Sequence, residues 1–486
     1  MLIPGTNSIK DTGYTVANSC RFNSGDSARM HKTPGSTSNQ KTWTYSAWIK
    51  RGTSSASTTV LLGANVGSGN RYSYIGFSSS EFGQDEIQLF SGDYTTGGST
   101  TIAFWVNTND IVYRDFSAWY HIVVSCDLTE GSAGDVLKVY VNNVLQTTGV
   151  QESNATVPND STFFNTSGVA MEVGALNAGS FFDGYMAEVC WIDGTALTPS
   201  SFGEFDEDSP TIWKPIDVSG LTFGTNGFYL DMESSGNLGN DANGGTDFTE
   251  VNLAATDQAT DTPTNNFATL NPLDNEFQEA TFSEGNCKII RETQGRNCGN
   301  TSTIAVASGK WYCEVKYGGS DGGGSTVNDS HIGIVGRIAT DQNHEPGHHA
   351  DEYAWNGQTG DYRTNDGHVT YGNTWTTNDI IGIHLDLDNN KLYFSKNGTL
   401  ENSGTGISIS ATPHSGVYWI AVGTGANELE PIFYMNFGGC SAFTISSGNT
   451  DDNGYGNFEY SPDITGDSVA KKFYALNTKN LAEFGG

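Results

Sequence analysis

The sequence predicts an all-β protein, two antiparallel β-sandwiches of jelly-roll type in tandem with a polar connector between them. Three observations lead there. Apolar residues recur with a period of two in many short runs, the pattern of strands with one face on a core. Turn formers separate these runs, and 60 glycines with a 12% aromatic share indicate turn-rich packing rather than disorder. Finally, Ile380 to Gly398 reads as a complete hairpin: Ile381, Ile383, Leu385 and Leu387 alternate with smaller or polar residues. Asp388, Asn389 and Asn390 turn the chain, and Leu392 and Phe394 resume the apolar face.

Taken in order, residues 1–216 form the first sandwich. Trp43, Tyr45, Ala47 and Ile49 alternate along KTWTYSAWIKR, then AWYHIVVSCDL follows, then DVLKVYVNNVLQ with Leu137, Val139 and Val141 on one face, then FFDGYMAEVCWIDGTAL. Residues 217–270 are rich in Gly, Asn, Thr and Asp and read as a connector with one strand near 226–232. Residues 271–445 form the second sandwich, from TFSEGNCKIIRE through STIAVASGKWYCEVKY, HIGIVGRI, the hairpin, VYWIAVGTG and PIFYMNFGG. Residues 446–486 are a tail with a short final strand or helix.

The first block resembles laminin G-like, concanavalin-type domains through Trp119, His121 and Ile122 to Val124, then Tyr140, Val141 and Asn142, then Phe182, Asp183, Gly184 and Glu188. The second resembles a SPRY domain through Gly309, Lys310, Trp311, Tyr312 and Glu314, Ile332 to Gly336, the hairpin, and Asn436, Phe437 and Gly438. SPRY domains are binding modules. The full order, ending in FYALNTKNL, resembles tail-fibre or surface-appendage proteins of tailed bacteriophages, particularly marine ones. That resemblance implies a virion protein, assembled in the host cytoplasm, that contacts a host-surface glycan or protein and other virion proteins. It also implies a homo-oligomer, a trimer being the usual fibre symmetry, although no heptads enforce one.

Charge and cysteine usage narrow the setting. With 23 basic and 55 acidic residues the net charge is -32, which repels phosphate backbones and excludes nucleic acid as a natural partner. No run is long enough to insert into a membrane, and MLIPGTNSIKDTGY lacks the basic and apolar regions of a secretory signal. The seven cysteines contain no CxxC pair, and several lie in strand-like runs, where cysteine serves as a small buried hydrophobe.

No catalytic residues are expected. HEPGHH has the letters of a zinc-protease motif, but Pro346 and Gly347 oppose the helix that motif needs; a solvated loop is the ordinary fate, with His344, His348 and His349 as the alternative metal ligands. Glycosidase chemistry needs two carboxylates facing one another across a substrate, whereas Glu188 and Asp193 are five apart and fall on opposite strand faces. No cofactor is expected, with calcium the one ion the abundant carboxylate and amide oxygens suit. The EF-hand-like Asp386, Asp388 and Asn390 fail, because Lys391 stands where Gly is required. Ligand contact is assigned to the segment before the hairpin, where Tyr353, Trp355, Asp361, Tyr362, Tyr371 and Trp375 set aromatic faces among hydrogen-bonding groups, as a sugar ring requires.

Overall fold

The computed structural model describes residues 13–67, 70–81, 83–94, 101–130, 133–150, 161–274, 280–291, 297–320, 329–339, 344–425, 430–465 and 471–485. Most of the stretch read for a secretory signal, residues 1–12, lies outside them. The chain divides into two compact units between Thr264 and Asn265. Each consists mainly of two antiparallel sheets that enclose one apolar core.

In the first unit one sheet runs, in spatial order, Val144–Leu145, Leu137–Val141, Tyr120–Asp127, Thr42–Arg51, Gly184–Asp193, Ser19–Phe22 and Gln258–Ala259. The other begins at Thr148–Val150 and Thr101–Thr108 and ends at Arg29–Lys32 and Thr249–Val251. Trp43, Tyr45, Ala47 and Ile49 all face the core, as their alternation predicts. On the opposite face Trp48 stacks on His121, with ring centroids 4.6 Å apart. Gly184 sits at φ +137, where an added Cβ would lie 2.2 Å from the Lys50 carbonyl oxygen, so the FDG turn requires glycine.

The segment expected to be a connector is instead part of this unit as far as Thr264. Phe228, Leu230, Met232, Leu238 and Phe248 lie in the core, and Phe228–Leu230 pairs with Gly184–Asp193. Its polar residues are bonded inward: Asp241 accepts from Lys32 Nζ at 3.0 Å and from the Tyr229 amide at 3.1 Å. Asp261 forms a fully buried pair with Lys50 at 2.6 Å and accepts from Trp119 Nε1 at 3.0 Å. A segment this poor in apolar residues stays ordered because five large ones, Phe228, Leu230, Met232, Leu238 and Phe248, are spent in the core and its carboxylates replace missing backbone partners.

In the second unit the larger sheet runs Ala280–Ser283, Lys288–Arg291, Pro431–Asn436, Lys310–Ser320, Ile380–Asp386, Lys391–Lys396 and Thr399–Leu400. The smaller runs Cys298–Val306, Tyr418–Thr424, Ser330–Val335, Glu352–Asn356, Asp361–Thr364 and Gly367–Thr370. The hairpin forms in the expected register, with Leu385 opposite Leu392 and Asp386 opposite Lys391. Ile381, Ile383, Leu385, Leu392 and Phe394 are all in the core.

The described residues of 446–485 are not a free tail. Phe458, Ile464 and Phe473 cover the outer face of the hairpin sheet, packing with Tyr312 and Tyr393. Glu314, fully buried, fastens them: it accepts from the Glu459 amide at 3.0 Å, the Tyr460 amide at 2.7 Å, Asn436 Nδ2 at 3.0 Å and the Tyr312 hydroxyl at 3.0 Å. Both a strand and a helix close the chain, Tyr474–Ala475 beside Lys310–Ser320 and Thr478–Phe484 capped by the Asn477 side chain. All seven cysteines are buried.

Candidate functional site

The segment assigned to ligand contact lies at one edge of the smaller sheet of the second unit. Glu352–Asn356 is a short strand, so Tyr353 and Trp355, two apart, project to the same side and enter the core. Tyr371 and Trp375 return from the following loop to join them. Trp355 is 0% exposed, with ring centroids 6.4 Å from Trp375 and 5.6 Å from Phe394, and its Nε1 donates to the Gly360 carbonyl at 3.1 Å. The Tyr371 hydroxyl accepts from the Phe394 amide and the Tyr353 hydroxyl from the Ser410 amide. These four rings are structural, a correction to their assignment as ligand platforms: all four are buried in the core, and the polar atoms of Tyr353, Trp355 and Tyr371 fasten loops to the sheet.

Asp361 and Tyr362 remain on the half-exposed strand Asp361–Thr364, and the partner strand Gly367–Thr370 is exposed at every residue. Tyr362 lies opposite Trp355 on one side and Val369 on the other. The hairpin is therefore a polar, open sheet edge seated on a rigid aromatic floor.

Beside it lies the HEPGHH stretch. It forms a turn, as Pro346 and Gly347 require, but His344 through Gly347 are buried, against the expectation of a solvated loop. Gly347 has φ +99, and a Cβ there would meet the Arg363 side chain at 2.8 Å, so this crossing needs glycine. Three imidazoles gather: ring centroids are 4.9 Å apart for His344 and His349, 4.6 Å for His348 and His349, and 5.8 Å for His344 and His348. Glu352, 0% exposed, meets His344 Nε2 at 2.6 Å through Oε1, while Oε2 accepts from the amides of Gly347 at 3.2 Å and His349 at 3.3 Å. Glu345 pairs with Arg363; burial pushes its carboxyl up to about 7 although Arg363 pulls it down. His348 Nδ1 and Arg363 Nη2 each lie 2.9 Å from Asp366 Oδ1.

Other singled-out carboxylates have structural work. Glu188 adopts φ +51 at a bulge in Gly184–Asp193 and accepts from the Tyr229 hydroxyl at 2.8 Å. Asp193 accepts from the amides of Asn39 at 3.1 Å and Asn226 at 2.9 Å, joining two loops. At the hairpin turn Asp388 pairs with Lys310 at 2.7 Å and Asp386 accepts from the Asn389 amide at 3.1 Å, so neither points freely at an ion.

Glu188 also sets a pH dependence. Burial raises it to about 7, so the folded state holds its proton more tightly than the unfolded chain. That contribution is fully present below the ordinary carboxylate range and is lost as pH rises through about 7. Glu188→Gln, which keeps an acceptor for Tyr229, is expected to stabilise the first unit relative to wild type at about pH 8, by up to about 3 kcal/mol, and not at about pH 5. Calorimetric melts at the two values check this; a difference independent of pH contradicts it.

Comparison with known proteins agrees with this architecture. Residues 23–201 match the concanavalin A-like lectin/glucanases superfamily, in its laminin G-like branch, and residues 310–436 match the SPRY domain. The chain thus carries a concanavalin A-like domain followed by a SPRY domain, both typically non-catalytic binding domains. Among solved structures, the SPRY domain of human HERC1 is similar at 15% identity, covering 34% of this chain and 95% of that one, with a TM-score of 0.27. A further human SPRY domain is similar at 16% identity, covering 32% of this chain and 94% of that one, with a TM-score of 0.25. Stonustoxin is similar at 17% identity with a TM-score of 0.26, covering 35% of this chain and 27% of its own length. No curated protein matches the chain.

Proposed function

We propose that this chain is a virion protein of a tailed bacteriophage, a tail-fibre or spike subunit that adsorbs to the host by binding a surface glycan or protein without chemistry on it. The observation that carries the binding role is the hairpin of Asp361–Thr364 and Gly367–Thr370, a polar and open edge held on a core of four buried rings. Tyr362, half-buried, rests its ring on the aromatic floor 6.0 Å from Tyr371, and Asp361 turns its carboxylate to the other face of the strand, a hydrogen-bonding surface of the kind a glycan or a protein requires. The virion setting draws on the order of segments, a laminin G-like block, a SPRY block and the FYALNTKNL ending. Adding the recombinant chain to host cells before infection is expected to block phage adsorption in a dose-dependent way. Adsorption unchanged at saturating protein would overturn the reading.

A second reading, a structural subunit that binds only other virion proteins, draws on the first unit. Val144 and Leu145 are 61% and 56% exposed, and Ile111 and Val112 are exposed on a nearby turn. Binding to purified virion parts but not to cells would favour it. Either role is compatible with a homo-oligomer, which light scattering of the purified chain measures.

A further inference from the structure

We propose that His344, His349 and Glu352 form a site for one divalent transition-metal ion of the zinc class, which ties the turn of residues 344–351 to the strand Glu352–Asn356 beneath the open hairpin. The ligand atoms of these three residues lie within 4.8 Å of one another, one from each side chain. Two imidazoles and one carboxylate are the donor set of three-ligand zinc sites that leave a fourth position for water or an incoming group. Imidazole nitrogen also selects this class of ion over calcium and magnesium, which take oxygen.

The site is built rather than incidental. Glu352 is 0% exposed and His344 4% exposed, so the carboxylate is held where an unbalanced charge is costly and a cation is favoured. The amides of Gly347 and His349 fix Glu352 Oε2, leaving Oε1 aimed at His344. Neighbouring cations are already neutralised: Arg337 lies 2.7 Å from Asp351, and Arg363 is held between Glu345 and Asp366. His348 is drawn toward Asp366 at 2.9 Å and stands outside the set. Tetrahedral coordination at the usual bond lengths sets ligand atoms about 3.3 Å apart. The 2.6 Å contact between His344 and Glu352 must therefore open, and the half-buried His349 must close in.

The inference is independent of which receptor the hairpin meets. Its test is titration of the full, chelator-treated chain with Co²⁺, read by visible absorption, and then with Zn²⁺. Expected are one Co²⁺ per chain with the intense bands of tetrahedral coordination, displaced by Zn²⁺, and a melting temperature that rises with either ion. His349→Ala is expected to weaken binding by more than about tenfold, the loss that even an outer-shell change causes, while His414→Ala leaves it unchanged. If His349→Ala lowers the melting temperature of the metal-free chain, His349→Gln keeps the bulk and replaces it. Absence of the tetrahedral spectrum, or equal Co²⁺ affinity in the His349 variants, would overturn the site and leave a hydrogen-bonded His344–Glu352 pair only.

Discussion

A fragment of residues 13–264 is expected to unfold in one cooperative transition, whereas a fragment of residues 13–216 is expected to show none. The shorter fragment loses Phe228, Leu230, Met232, Leu238 and Phe248 from the core, together with the Asp261 partner of Lys50. Each of these five side chains contributes about 2 kcal/mol by burial, together about 10 kcal/mol, as much as the whole net stability of an ordinary domain. The loss of Asp261 adds an unpaired ammonium group in the interior, itself worth several kcal/mol. Circular dichroism melts of the two fragments decide the matter; a cooperative melt for residues 13–216 would show that the Gly- and Asn-rich segment is a dispensable linker after all.

Trp355→Ala is expected to destabilise the second unit by about 3–5 kcal/mol, with little change in the first. The ring is 0% exposed and packs against Tyr371, Trp375 and Phe394, so its removal leaves a large cavity and takes one of two donors from the Gly360 carbonyl. Calorimetry that resolves the two units measures the effect. If the variant melts as wild type and loses only ligand binding, Trp355 is a surface platform and its placement in the core is wrong.

The strands of both sandwiches were legible because their cores are written at a period of two, and Trp43 to Ile49 and Ile381 to Phe394 follow it residue by residue. The limits of the units were harder to read. The described residues of segments 217–264 and 446–485 bury apolar side chains at irregular spacing, and polar contacts fasten them as well: Asp241 and Asp261 in one, the backbone amides that reach Glu314 in the other. Such bonds join residues far apart in sequence and leave no local period. Of the six residues assigned to ligand contact, Tyr353, Trp355, Tyr371 and Trp375 are core residues, and Asp361 and Tyr362 alone lie on the half-exposed strand. Tyr353 and Trp355 are two apart on a short strand, a core signal hidden by the surrounding Asn and Gly, and the loop return of Tyr371 and Trp375 has no signature at all. Glu352 was missed as a partner of the histidines because it belongs to that same unrecognised strand.

Receptor binding by the full chain, compared with its Asp361→Ala and Tyr362→Ala variants on immobilised host-surface glycans and on whole cells, tests the binding role most directly. Wild type is expected to bind without releasing reducing sugar, and each variant to lose more than about fivefold in affinity, the equivalent of about 1 kcal/mol, with the melting temperature held in Asp361→Ala. Equal binding by all three proteins, or release of sugar by the wild type, would contradict recognition through this hairpin.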